Sequence, residues 1–225
     1  KLWVNGTYIG SHEGGYAAFS FDITDAIERG GDNRITVRVE DGNSTMQPRG
    51  KQRWVGKNYG CWYVQTTGIW QSVWLEYVDA AHISRAKITP NLEEASVAFE
   101  YELGSTVRSF GGLTLQTNVR YDGNLISSIE TKVDRKFVKV EVSVKIEAYE
   151  WKVFAWHPNH PNLYDAEVIL KKDGQPVDTV YTYFGMRSIK IKGNRILLNN
   201  SPIYQRLLLD QGYWEETHLT PPSEE

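Results

Sequence analysis

Apolar and polar residues alternate with a period of two along most of this chain, and no segment sustains a helical period. LWVN and TYIG flank Asn5-Gly6, a dipeptide suited to a two-residue hairpin turn. Phe19, Phe21 and Ile23 alternate in AFSFDI, and Thr24 then stands where it can cap one helical turn, TDAIER, ahead of Gly30-Gly31-Asp32-Asn33. RITVRVE predicts a strand with Ile35, Val37 and Val39 facing inward. A long irregular stretch follows, DGNSTMQPRGKQRWVGKNYG, and loops of that length inside a compact domain are functional or disordered. Residues 66–76, TTGIWQSVWLE, read as a strand with Ile69, Val73 and Leu75 on one face and Trp70 and Trp74 on the other. A half-buried strand keeps one face polar, so this one predicts cover on both sides.

A second series begins after Asp79. SVAFEYEL, LTLQTNVRY, the turn Asp122-Gly123-Asn124 and LISSIETKV all alternate, and FVKVEVSVKIEA puts Val138, Val140, Val142, Val144 and Ile146 on one face. The Pro-rich WHPNHPNLY precedes DAEVILKK, the turn Asp173-Gly174 and VDTVYTYF. About seven short strands over roughly 100 residues, with turns every 8–12, predict an immunoglobulin-like sandwich. IKIKGNRILLN reads as a further hairpin. Leu207, Leu208 and Leu209 then form a continuous apolar run, as in a strand covered on both faces. Ser223-Glu224-Glu225 has the pattern of a helix start with no helix after it, and Lys1 opens directly into a strand. Both ends predict an excerpt of a larger protein.

Composition narrows the function classes. Of 225 residues, 40% are apolar and 24% charged, as in a folded globular chain. A net charge of −3 with interspersed signs gives no footprint for nucleic acid or an anionic membrane, and no apolar run is long enough to span a bilayer. The single cysteine, Cys61, forms no internal disulfide, which favours a reducing, cytoplasmic setting, and is expected as a small buried hydrophobe. Eight Trp and thirteen Tyr serve cores first and sugar platforms second.

Five motifs occur in one order. VNGTYIGSHEGGYAAFSFDIT resembles the late strands of the sugar-binding jelly roll of glycoside hydrolase family 2, the family of β-galactosidases, β-glucuronidases and β-mannosidases. PRGKQ with TTGIWQSVWLE is similar to the stretch closing that jelly roll. HPNHPNLYDAEVIL and FGMRSI resemble the end of its immunoglobulin-like domain, and ILLNNSPIYQRLLLDQGYW is similar to the run entering its (β/α)8 barrel. The resemblance implies an all-β chain: a partial sugar-binding jelly roll at 1–79, an immunoglobulin-like β-sandwich at 80–185, and the first strand of a truncated catalytic barrel within 186–225. On this division residues 1–79 and 200–225 are expected to associate or be partly disordered, for want of neighbouring strands. The two tryptophans of 66–76 are then expected at a domain interface, with at least one ring left partly uncovered in this chain, and Ile69, Val73 and Leu75 are expected to fill the jelly roll.

Retaining glycosidases need two carboxyl groups about 5–5.5 Å apart. The family supplies both from later barrel strands, so no catalytic residue is expected in this chain, and Glu93-Glu94, Glu215-Glu216 and Glu224-Glu225 read as solvated charge. The resemblance implies substrate contacts from Asp210, at the end of the first barrel strand, with Gln211 and Tyr213 beside it. It also implies contacts from Arg49, Lys51, Gln52 and Trp54 on the 43–62 loop. Two departures stand out: Leu207 occupies a position that is often glycine in the family, and Trp62 or its neighbours occupy the region where some β-galactosidases carry a substrate-binding aspartate. His157 and His160 lie three apart on a Pro-rich loop without a third ligand nearby, so no metal is expected, and His12 is expected to make a structural hydrogen bond.

The function implied is that of a non-catalytic accessory part of a family 2 enzyme hydrolysing terminal β-linked sugars with retention. Its partners would be a β-galactoside or related glycoside, the missing barrel and a possible second copy, with no cofactor. The alternatives are a stand-alone carbohydrate-binding module and a structural immunoglobulin-like domain.

Overall fold

The computed structural model describes residues 1–104, 106–146 and 153–223, so Glu224 and Glu225 of the suggested helix start lie outside it. The chain is all-β and forms two compact units, one of residues 1–75 with the stretch from 208 onward, the other of residues 76–207.

In the first unit, strands β1 (Leu2–Val4), β2 (Thr7–Gly10) and β3 (Ile35–Val37) make an antiparallel sheet in the order β2–β1–β3. The β1–β2 turn has positive φ at both central residues, 49° at Asn5 and 83° at Gly6, the geometry whose twist matches paired strands. The Asn5 side chain donates to Ala26 O at 2.9 Å and Asn33 Oδ1 at 2.8 Å, and its own Oδ1 accepts from Arg34 N at 2.9 Å. One turn residue thus ties the sheet to the segment that follows it.

Several expectations for this unit do not hold. A short 3-10 turn does form at Thr24–Ala26, but without a side-chain cap: Asp22 Oδ1 accepts from Thr24 N at 2.9 Å and from Thr24 Oγ1 at 2.6 Å. The Thr24 hydroxyl thus donates to the carboxylate two residues upstream instead of accepting from an amide of the following turn. Ile35, Val37 and Val39 are exposed instead of inward, since no second layer faces them among the described residues. TTGIWQSVWLE is in no strand: nothing pairs its backbone in a ladder, and Ile69, Val73 and Leu75 meet water. The expected uncovered ring is Trp74, 67% exposed, while Trp70 Nε1 donates to Gly15 O at 2.7 Å. The predicted strand Leu207–Leu209 likewise forms no ladder, and Leu208 is 97% exposed. Cys61 is exposed because Gly60-Cys61 make the tight turn closed by Trp62 N on Tyr59 O at 2.9 Å. His12 stacks on Phe19 at 4.5 Å, and its Nε2 has no hydrogen-bond partner among the described residues.

The second unit is a β-sandwich. Strands β4 (Ile83–Asn91), β5 (Ser96–Leu103) and β8 (Phe137–Ser143) form one antiparallel sheet in the order β4–β5–β8. The other sheet runs β12–β11–β6–β7, from β6 (Leu113–Tyr121), β7 (Asn124–Lys132), β11 (Tyr164–Lys172) and β12 (Gln175–Phe184). Alternation decides which side chains go in. Val97, Phe99, Tyr101 and Leu103 of β5 and Val138, Val140 and Val142 of β8 share one core with Leu113, Leu115 and Val119 of β6 and Tyr164, Ala166, Val168 and Leu170 of β11. Burying each of the Val, Leu and Phe side chains contributes about 1.5–3 kcal/mol. Val144 continues the buried face past the end of β8, whereas Ile146 is half-buried.

β4 was not among the predicted runs. A register shift between Ile83 and Arg85 breaks its alternation, and Pro90 argues against a strand. Between the sheets, the Tyr101 hydroxyl and Thr117 Oγ1 lie 2.8 Å apart in the core. The Pro-rich loop forms a small hairpin from β9 (Trp156–His157) and β10 (His160–Pro161), in which Asn159 N donates to His157 Nδ1 at 3.2 Å. A meander of β13 (Ile189–Lys192), β14 (Arg195–Leu198) and β15 (Ser201–Pro202) completes the unit.

Candidate functional site

The 43–62 loop is folded back on the segment after it. Arg53 N donates to Tyr63 O and Tyr63 N to Lys51 O, both at 2.7 Å, and Thr66 N donates to the Gln52 side-chain oxygen at 2.8 Å. Lys51, Gln52 and Tyr63 are thereby fixed side by side without a regular sheet. The stretch from residue 208 onward belongs to the same compact unit and joins them. Lys51 Nζ donates to Gln211 Oε1 at 2.9 Å, and the Tyr213 ring stacks on Tyr63 with centroids 4.4 Å apart and planes 14° from parallel. Tyr16 stands at the margin, its hydroxyl 3.5 Å from Gln52 Nε2.

The electrostatics follow from that packing. Burial pushes the Tyr213 hydroxyl above the usual tyrosine range, the nearby Tyr16 and Tyr63 phenols add to this, and a backbone hydrogen bond from Lys51 pulls the other way. The phenol therefore stays protonated and can donate as well as accept. The patch presents an ammonium, two carboxamides and three phenols, groups suited to hydrogen bonding with hydroxyls.

Of the seven residues expected from sequence, four are brought together here: Lys51, Gln52, Gln211 and Tyr213. The other three make different contacts. Asp210 Oδ1 accepts from Gly212 N at 2.9 Å, so this carboxylate shapes its own turn. Arg49 is committed to the loop backbone, donating to Asn43 O at 2.5 Å, Ser44 O at 3.2 Å and Arg53 O at 2.5 Å. It lines a polar recess with Asp41, Asn43, Gln47, Gln52 and Gln65. Trp54 meets Trp62 at 4.8 Å and Tyr59 at 5.7 Å, edge to face in both cases. Tyr16 and Tyr63 were not singled out from sequence; the only available signal was an aromatic ring with a polar tip. Among the described residues, no three or more His, Cys, Asp or Glu side chains gather as a metal site would require.

Comparison with known proteins agrees with this architecture. Residues 81–187 match the model of glycosyl hydrolases family 2. The chain is 27% identical over 212 residues to a β-galactosidase of Thermoanaerobacter pseudethanolicus, a match covering 92% of this chain and 27% of that protein. It is 31% identical over 222 residues to a putative β-glucuronidase of Formosa agariphila, covering 97% of this chain and 25% of the relative. The crystal structure of a Bacteroides uniformis β-glucuronidase superposes with a TM-score of 0.78 at 20% identity, over 98% of this chain and 27% of that one. Residues 81–187 are thus a glycoside hydrolase family 2 segment, and the similarity to β-galactosidases and β-glucuronidases runs over nearly the whole chain. The chain spans about a quarter of the length of these relatives.

Proposed function

We propose that the chain is a non-catalytic accessory portion of a family 2 glycosidase that hydrolyses terminal β-linked sugars, β-galactosides or β-glucuronides, with retention of configuration. The observation that carries this reading is the proportion of the matches: nearly the whole chain aligns, but with only about a quarter of each glycosidase. In this reading residues 1–79 are part of a sugar-binding jelly roll, residues 80–185 the immunoglobulin-like domain, and residues 186–225 lead into the first strand of a catalytic barrel. The exposed Leu207–Leu209 run supports the last assignment, since three consecutive apolar side chains suit a strand covered on both faces. Lys51, Gln52, Gln211 and Tyr213 would contact sugar hydroxyls at the rim of the active site, while the two catalytic carboxyl groups come from the barrel.

The chain purified alone, assayed with nitrophenyl β-galactoside and nitrophenyl β-glucuronide, is expected to show no hydrolysis above buffer. Turnover well above buffer by the purified chain would overturn the accessory role.

A further inference from the structure

The outer face of the four-stranded sheet carries features that the core does not need. β12 is an edge strand, and its residues Val180 and Phe184 pack against the core, so Tyr181 and Tyr183 point to the other side. They are 75% and 68% exposed, on one face and about 7 Å apart along the strand. The ladder then sets polar residues beside them. Asp165 lies opposite Tyr183 and Glu167 opposite Tyr181 on β11, and on β6 Arg120 and Asn118 stand opposite those two in turn.

This polar row is held in place. Asn118, although buried, donates its Nδ2 to Glu167 Oε2 at 2.9 Å, and its Oδ1 accepts from Ser128 Oγ at 2.7 Å and Gln116 Nε2 at 3.0 Å. The Glu167 carboxylate is therefore fixed in the row next to the Tyr181 ring. Two exposed rings in line, backed by a pre-positioned carboxylate and a guanidinium, match the two-sided chemistry of a pyranose. The C–H face of each sugar packs on a ring, and its hydroxyls bond to the acids and amides behind.

We propose that this face binds a neutral pyranose oligosaccharide, one sugar on each tyrosine, at a site carried wholly by the second unit. The charge on the face selects this occupant. The core of a protein interface is depleted of Asp and Glu, whereas Asp165 and Glu167 lie directly beside the rings. The two carboxylates beside the tyrosines disfavour nucleic acid and polyuronates. The site needs neither a barrel nor hydrolysis, so it stands or falls separately from the glycosidase reading.

The test is electrophoresis of the full chain through gels containing mixed-linkage β-glucan, galactan, xylan or polygalacturonate. At least one neutral polysaccharide slows the chain and polygalacturonate does not. Tyr181→Ala and Tyr183→Ala each weaken retardation about tenfold, and together they abolish it. The ring-keeping pair Tyr181→Phe and Tyr183→Phe retains binding, as does Phe137→Ala, which removes an exposed ring from the other sheet. Circular dichroism melts of the alanine variants match the parent, since both tyrosines are exposed. The proposal is overturned if no neutral polysaccharide slows the chain, if the double alanine variant is slowed equally, or if polygalacturonate binds as well. It is also overturned if light scattering shows a dimer that the alanine variants dissolve, because a second copy is then the occupant.

Discussion

The hydrogen bond between Tyr101 and Thr117 is the sharpest test of how the two sheets of the sandwich are held in register. Tyr101 is on β5 and Thr117 on β6, in opposite sheets; both are essentially fully buried, and their hydroxyls are 2.8 Å apart. Tyr101→Phe keeps the ring but strands the Thr117 hydroxyl without water. Thr117→Val keeps the shape but strands the phenol. Each single change leaves one buried polar group unsatisfied, at a cost of about 1–3 kcal/mol. The double variant removes both polar groups and leaves a core of nearly the same volume, so its cost should be about 1 kcal/mol or less. With about 2 kcal/mol for each single change, the cycle gives a coupling of about 3 kcal/mol, at the upper end for residues in contact.

Native-state hydrogen exchange at the β5 and β6 amides reads this unit without interference from the other. The expected result is two clearly weakened single variants and a double variant close to the parent. Additive losses, with the double variant weaker than either single one, would refute the reasoning, because the two hydroxyls would then not be each other's partner.

Two further outcomes follow from the same coordinates. Burial is the main cause that raises the hydroxyl pKa of both Tyr101 and Tyr164. The unfolded chain loses these protons near pH 10 while the folded chain keeps them, so stability is full below that pH and falls above it. The slope approaches about 1.4 kcal/mol per pH unit for Tyr101 above pH 10, and Tyr101→Phe should remove that share; urea midpoints from pH 9 to 11.5 check this, and an unchanged slope counts against it. At the surface, Leu208→Ser with Leu209→Ser should lower self-association seen by light scattering and leave the melting temperature within error, as expected for exposed positions; a marked drop in melting temperature would mean that these leucines are packed.

How legible the fold was differs between the two units. SVAFEYEL and LTLQTNVRY coincide residue for residue with β5 and β6, because each strand faces a core on one side and water on the other, and alternation records that directly. The hairpins at Asp122-Gly123 and Asp173-Gly174 were equally plain. β4 was hidden, since a register shift and Pro90 erase the period that would have marked it. The candidate site was legible only through the family resemblance. Lys51 and Gln211 are 160 residues apart, and no local pattern connects them. Tyr16 and Tyr63 belong to the patch by packing alone, which leaves no periodic trace.

The failures in the first unit have a common cause. Alternation in RITVRVE and TTGIWQSVWLE says correctly which side chains share a face, but a face is buried only when another layer lies against it. In the sandwich each sheet supplies that layer to the other, and Val97, Leu115, Val142 and Val168 are wholly enclosed. Among the described residues of the first unit, Val4 is the only buried apolar side chain. Ile35, Val37, Ile69, Val73 and Leu208 carry the pattern of covered positions and remain exposed. Exposed apolar surface on that scale marks a site of contact with something else. This supports the reading of the chain as a portion of a longer glycosidase, in which further strands supply the second layer. Tyr181 and Tyr183 differ from these apolar positions in one respect: they project from a sheet whose opposite face is already packed, so the sandwich to which they belong is complete without cover on them.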